Sequence, residues 1–365
     1  MGSVQPTVLV TGIAGNLGRR LLSQFTDYRV IGIDLNPPDT SVPLFRFIEM
    51  DLGTEESCRE LFLLLKDLRP SAVLHLAFVL DPVRNRVLDL DRMWQINVAG
   101  TARVMEAITE ANRDDFIVGK FIFPSSVSAY GSDLPGPVSE EYPLAAHTLP
   151  YAIHKMEGDR VVQQRAPALR GCSVYMLRPH IFTGATVKNY MLGAFRGTPD
   201  GLSKRAAKMR ERNKRLPLML PYGKKYLANR IQFVHVDDMA RLMTYILAKT
   251  EPEAQRLTIL NVAGRGEPLT FARCIEIAQA KLLRPPGEWA FRSILQLLWN
   301  LGISAIPPDA APYMTGEYIM NTDRLRKFLG PDYETVIRHT IEDAFADSFA
   351  SEAPRSEQQA AAKSS

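Results

Sequence analysis

Along the first half of the chain, short and nearly unbroken apolar runs alternate with longer segments whose apolar residues recur every three or four positions. The runs TVLVTG (7–12), RVIGIDL (29–35), SAVLHLA (71–77) and KFIFPSS (120–126) are rich in β-branched residues. They read as strands buried on both faces. Between them, LGRRLLSQF (17–25), EESCRELFLLLKDL (55–68) and INVAGTARVMEAITEAN (96–112) carry helical spacing. A further helix begins at Tyr151 and leads into another strand, CSVYMLRP (172–179). Parallel neighbours need crossover connections, and helices supply them on both faces of a sheet. The predicted fold is therefore α/β, a doubly wound parallel sheet.

The pattern loosens after Gly184. Residues 201–230 predict a helix followed by a Pro/Gly-interrupted loop. IQFVHV (231–236) and LTILNVAG (257–264) resume as strands, separated by the helix DDMARLMTYILAK (237–249) and followed by the helix TFARCIEIAQAKL (270–282). The residues SEAPRSEQQAAAKSS (351–365) are polar and of low complexity, which predicts a disordered tail.

Composition sharpens this picture in three ways. The chain has 365 residues, 46 % of them hydrophobic, enough for a large core. Its three cysteines, Cys58, Cys172 and Cys274, follow no metal-binding or redox spacing, so buried free thiols in a reducing compartment are expected. The start, MGSVQPTVLV, runs into a strand without a basic leader, and no apolar run approaches the roughly 18–20 residues that span a bilayer. The expectation is a cytoplasmic protein with no integral membrane association. The net charge of +4 is uneven: residues 188–230 hold twelve Lys/Arg against two acidic residues. One segment thus carries the basic balance, and no nucleic-acid partner is implied. That segment reads as a solvated helix face, a lid for an anionic substrate, or a surface for acidic lipid or a partner.

The sequence VLVTGIAGNLGRRLL places Gly12, Gly15 and Gly18 between the first strand and the first helix. Glycines belong there because the turn needs unusual backbone angles and a pyrophosphate must approach the helix N-terminus without Cβ obstruction. Asp34 ends the second strand, 22 residues after Gly12. A carboxylate there accepts from ribose hydroxyls and repels a 2′-phosphate, favouring NAD over NADP. Arg19 and Arg20 leave some room for NADP.

With the spacing GxxGxxG preceded by Thr11, the chain resembles the extended, epimerase/dehydratase-like branch of the short-chain dehydrogenase/reductase superfamily. The resemblance continues through MDL (Asp51, Leu52), HLA (His75, Leu76, Ala77), NVAGT (Asn97) and FVHVDDMA, covering roughly residues 7–265. It implies a Rossmann-type sheet at 1–184, rejoined by 231–262, and a smaller substrate-binding subdomain from 185–230 and 263–350. It also implies that Thr11, Gly12, Gly15, Asn16, Leu17, Gly18, Asp34, Asp51, Leu52, Leu76, Ala77 and Pro179 contact the dinucleotide. No metal ligand set is implied.

Hydride transfer at a carbinol carbon needs a proton moved on the oxygen in the same event. Tyrosine, with an ordinary pKa of about 10, needs help to do this near neutrality. A lysine four residues on lies on the same helical face, can lower that pKa, and can hold the nicotinamide ribose. Two pairs have this spacing: Tyr151/Lys155 and Tyr245/Lys249. Only the first follows a serine-bearing strand end, SSVSAYG, where the resemblance implies Ser126 as the substrate-orienting hydroxyl and Ser125 as its fallback. Tyr245 sits on a stripe with Met239, Leu242, Met243, Ile246 and Leu247 that reads as core-facing. Asn97 corresponds to the family member that keeps a water chain to the lysine in place. The His235, Asp237, Asp238 cluster reads as a helix cap, with an aspartate capping.

The resemblance implies an NAD-dependent oxidoreductase or epimerase acting on a small molecule, whether alcohol, sterol-like compound or sugar nucleotide, and a possible homodimer. A sugar-nucleotide 4-epimerase is the alternative, and a non-catalytic NAD-binding regulator a second. Against the first, RPHIF (178–182) lacks the asparagine that such epimerases carry, and Ile231 stands where they often carry arginine. His180, nearby, is a candidate substrate contact. A dehydratase would need an acid/base pair that SSVSAYG does not offer.

Overall fold

The computed structural model describes residues 5–39, 44–80, 89–113, 118–249 and 257–350. The tail expected to be disordered, 351–365, lies outside them. The chain begins with β1 (Thr7–Thr11), α1 (Asn16–Leu22), β2 (Arg29–Asp34), β3 (Arg46–Glu49), α2 (Glu56–Leu68) and β4 (Ala72–His75). It continues through α3 (Leu90–Trp94), α4 (Gly100–Ala111), β5 (Lys120–Pro124), α5 (Pro150–Arg165), β6 (Ser173–Pro179) and β7 (Ile181–Thr183). Then come α6 (Tyr190–Arg196), α7 (Lys204–Glu211), β8 (Leu218–Met219), α8 (Lys224–Ala228), β9 (Arg230–Ile231), β10 (Phe233–His235) and α9 (Val236–Ala248). After β11 (Leu257–Val262) follow β12 (Leu269–Thr270), α10 (Phe271–Ala278), β13 (Leu282–Leu283) and α11 (Glu288–Asn300). The last helices are α12 (Ala311–Thr315), α13 (Asp323–Leu329), α14 (Tyr333–Val336) and α15 (Ile341–Ala350).

Seven parallel strands form one sheet in the order β3–β2–β1–β4–β5–β6–β11. The apolar runs account for it: β4 and β6 are buried along their whole length, as strands covered on both faces must be. One face packs Leu9, Val73 and Phe121 against Leu61 and Leu65 of α2 and Val104 and Ile108 of α4. The other packs Val8, Leu74 and Tyr175 against Leu21 of α1, Leu242 of α9 and Leu325 of α13. This is the doubly wound arrangement predicted from strand–helix alternation. The order reverses between β1 and β4, and the sheet opens there into a crevice at the strands' carboxyl ends.

A third core, built from Leu192, Phe195, Phe233, Phe271, Phe291 and Phe345, holds the smaller unit above that crevice. Short strand pairs, β7 with β10, β8 with β13 and β9 with β12, tie it together. IQFVHV, read as one strand, splits into β9 and β10 around Gln232. The Gln232 amide donates to the Met320 carbonyl (3.2 Å) and accepts from its N–H (2.8 Å), standing in for a strand partner. The edge strand β3 was not anticipated, because it has only four residues and no fully buried face. Cys172 and Cys274 are buried, whereas Cys58 is only partly so.

Candidate active site

A cleft of about 760 Å³ runs along the carboxyl ends of the sheet, from the turn after β1 to the segment after β6. Gly12 has φ +72°, and a Cβ there would lie 2.5 Å from the Ala77 nitrogen. At Gly18 a Cβ would lie 2.5 Å from the Ile13 carbonyl oxygen. These two glycines let strand, turn and helix close on one another, while Gly15 lies on the cleft wall. The Asp34 carboxylate accepts from the N–H groups of Ala14 (2.9 Å) and Leu35 (2.8 Å). With about four lone-pair sites on a carboxylate, acceptor capacity remains for ribose hydroxyls. Arg20 donates to Thr186 Oγ1 (2.8 Å) and pairs with Asp237 (3.5 Å), so its charge is committed away from a 2′-phosphate. Asn16 donates to the Thr186 carbonyl (3.2 Å), leaving its buried Oδ1 without a partner. Open glycine turn, acidic strand end and orphaned amide oxygen together fit a dinucleotide.

Leu17, Leu52, Leu76, Ala77, Asp51 and Pro179 also line the cleft. Asp51 accepts from Gly53 N–H (2.9 Å) and pairs with Arg92. Thr11 does not line it. Its hydroxyl is bonded to His75 Nδ1 (2.7 Å) and accepts from Ala77 N–H (3.3 Å), so it acts by holding the wall. Burial pushes the His75 imidazole down to about 3, with Lys155 acting in the same direction, so the ring is neutral.

The other end of the cleft is built where β5 stops. Ser126 caps the turn Val127–Tyr130, its hydroxyl accepting from Ser128 N–H (3.2 Å) and Ser128 Oγ (2.9 Å). Helix α5 starts at Pro150, whose missing N–H costs nothing in a first turn. That start brings Tyr151 to the cleft wall beside the serines, whose hydroxyls act to lower its pKa. One turn on, Lys155 is buried, donates to the Pro124 carbonyl (2.7 Å) and lies 3.6 Å from the centre of the Phe78 ring. Burial pushes the Lys155 ammonium down to about 7, opposed by the Asp159 charge. Tyr151 differs from the expectation of a lowered phenol: burial raises its pKa, and the neighbouring Ser126 and Ser128 hydroxyls oppose that.

Ser125 lines the cleft, yet its hydroxyl turns inward to Asp159 (2.8 Å). Asp159 takes two hydrogen bonds from buried Arg178 (2.7 and 3.0 Å), and Arg178 also reaches the Tyr130 hydroxyl (2.8 Å). This network under the serines was missed, because no local pattern links residues 125, 159 and 178. Asn97 lies in a π turn (Gln95–Ala99) between α3 and α4, behind the cleft. It accepts from Val79 N–H (2.6 Å) and donates to the Val79 carbonyl (3.1 Å), fixing the segment that carries Phe78. His180 lines the cleft, as does Tyr318, which sequence spacing gave no means of finding.

Tyr245 and Lys249 lie elsewhere, packed on Phe328. The cap of α9 is His235 itself, whose Nδ1 accepts from Asp237 N–H (3.2 Å), not an aspartate. Asp238 is instead bonded to His339 (2.9 Å) and Arg241. Among the described residues no cluster of three or more His, Cys, Asp or Glu could hold a metal.

A doubly wound sheet with this crevice, glycine turn and Ser–Tyr–Lys grouping defines the short-chain dehydrogenase/reductase class. The profile of the NAD dependent epimerase/dehydratase family matches residues 8–263, and the chain belongs to that family. The UDP-glucose 4-epimerase of Erwinia amylovora is 28 % identical over 208 residues, 54 % of this chain and 59 % of that relative's length. That of Drosophila melanogaster is 24 % identical over 257 residues, 64 % and 70 % of the two chains. Among solved structures, UDP-glucuronic acid 4-epimerase from Bacillus cereus, in complex with UDP-glucuronic acid and NAD, aligns at a TM-score of 0.60. Its identity is 19 %, and the alignment covers 94 % of this chain and 98 % of that one. A short-chain dehydrogenase/reductase superfamily protein from Agrobacterium tumefaciens with bound NAD aligns at 0.61 with 22 % identity, covering 98 % and 99 %. These likenesses establish the fold.

Proposed function

We propose that the chain is an NAD-dependent oxidoreductase or epimerase of the extended short-chain dehydrogenase type. It transfers hydride at a secondary alcohol or ketone carbon of a largely apolar substrate. The observation that carries this reading is the convergence of Ser126, Ser128, Tyr151 and Lys155 on one cleft wall, with Lys155 buried one turn behind the tyrosine. Bound NAD would supply the hydride acceptor, held by the glycine turn, Asp34 and Lys155. Ser126 then orients the substrate oxygen, and Tyr151 takes its proton in oxidation or returns it in reduction. Phe78, Leu149, Met191, Tyr313 and Met314 line the remaining wall and exclude water.

The names of the two UDP-glucose 4-epimerases favour the alternative, a sugar-nucleotide 4-epimerase. Against it, Ile181 and Ile231 occupy the positions of the expected asparagine and arginine, and Ile231 is fully buried. Lys155 and Lys188 are the cations on the cleft wall among the described residues. A thermal-shift screen with NAD present separates the two readings, since a ligand that binds only the folded state raises its melting temperature. Further stabilisation by sterols or other apolar alcohols supports the first. Stabilisation by UDP-sugars alone replaces it with the second. A homodimer and a cytoplasmic location belong to the same proposal, and light scattering and cell fractionation test them.

A further inference from the structure

Among the described residues, four buried side-chain polar atoms have no hydrogen-bond partner. Three of them, Asn16 Oδ1, His180 Nε2 and Tyr318 Oη, belong to residues lining the cleft. Such atoms are costly to bury and call for a partner that the protein itself does not supply. Asn16 lies in the dinucleotide turn. His180 and Tyr318 lie on the walls contributed by the end of β6 and the segment after α12, and their rings meet edge to face at 6.1 Å.

Both side chains are held rigidly. His180 and Tyr318 are each 2 % exposed, and the His180 ring also packs edge-on against Phe233 (6.4 Å). His180 Nδ1 accepts from Ile181 N–H (2.9 Å), which places the proton of the neutral ring on Nε2 and makes that atom a donor. The Tyr318 carbonyl favours a proton on this ring but does not meet Nε2 with hydrogen-bond geometry. The Tyr318 hydroxyl can donate and accept. Burial keeps both groups uncharged, pushing the imidazole down to about 3 and the phenol well above its ordinary value. A phosphate or carboxylate would find no positive charge in this pair, whereas a carbonyl or hydroxyl oxygen can accept from the His180 Nε2–H or pair with the Tyr318 hydroxyl.

We infer that His180 and Tyr318 form a second polar subsite that receives a neutral oxygen, a ketone or hydroxyl, of a substrate whose reacting carbinol lies at Ser126 and Tyr151. This rests on the apolar-alcohol reading above and narrows it. The substrate becomes an apolar framework bearing two separate oxygen functions.

The test uses the full chain with NAD and two probes differing in one group: epiandrosterone, a 3-hydroxysteroid with a distal ketone, and its 17-deoxo counterpart. Binding is followed by fluorescence in wild type, His180→Phe and Tyr318→Phe, with NAD affinity measured in each to show that the fold is intact. We expect wild type to prefer the ketone by about tenfold or more, because a site built to bond an oxygen rejects the analogue lacking it. Both variants should lose that preference while still binding the deoxo compound. Equal binding of the two steroids by wild type overturns the subsite and leaves the apolar-alcohol reading standing. Binding of neither steroid, with NAD still bound, overturns that reading and the subsite with it.

Discussion

At the scale of single residues, the site is set by burial more than by the lysine. Because burial raises the Tyr151 phenol, the hydroxyl keeps its proton near neutrality, and in the proposed reaction it serves first as an acid. We therefore predict that kcat/KM for alcohol oxidation climbs as pH rises above neutral, while ketone reduction shows no such climb. A pH–rate profile in both directions checks this. Lys155 makes a prediction on stability. Its folded pKa of about 7 lies below the unfolded lysine value of about 10.4. Between these two values the unfolded chain holds a proton that the folded chain has lost, so stability rises with pH, and below about pH 7 the slope vanishes. Melting temperatures of wild type relative to Lys155→Met should rise between about pH 7.5 and 9. A flat difference would contradict the buried, half-charged lysine.

The residues legible in the sequence were those whose partners are near in the chain. Tyr151 and Lys155 are one helical turn apart, and Ser126 follows directly on a strand. Ser128, Asp159, Arg178 and Tyr318 came only with the fold, since each acts through a residue distant in sequence. The α5 helix shows why pattern alone falls short there. Its buried stripe of Ala152, Lys155, Met156, Asp159 and Val162 mixes charge with apolar groups, so the chemistry erases the hydrophobic signal that marks ordinary core helices.

At the scale of elements, the turn from β1 to α1 and the floor beneath the serines carry the most consequence. Gly12→Ala should weaken NAD binding by tenfold or more and lower the melting temperature. It forces a positive φ on a residue with Cβ and drives that Cβ into the Ala77 backbone. Calorimetric titration with NAD and a thermal melt check it. The Asp159–Arg178 pair is buried on both sides, so removing one partner strands the other charge. Asp159→Asn should cost about 3–5 kcal/mol in urea unfolding. Elements with long apolar runs were readable in advance, whereas β3 and the split β9/β10 were not. The first is a short exposed edge, and the second is broken by a side chain imitating a strand.

At the scale of the whole molecule, two cores clamp the sheet and a third carries the opposite wall of the cleft. The crevice between them is where both halves of the proposed chemistry meet. The strand order of the sheet came with the structure, while its parallel, doubly wound character followed from strand–helix alternation. The smaller unit did not, because its short strands pair across long stretches of sequence and its core is assembled from five or more separate segments. The path of the chain is also less simple than one departure and one return: Leu325, Leu329, Tyr333 and Val336 come back to pack beneath the sheet before Ile341 and Phe345 rejoin the third core.

The most direct test of the central claim is NADH formation with a secondary-alcohol panel in wild type and Tyr151→Phe. A positioned acid/base contributes about 10²–10⁴-fold to such a step. The account predicts a loss of that size in Tyr151→Phe with NAD affinity kept. Turnover unchanged by the substitution would contradict it.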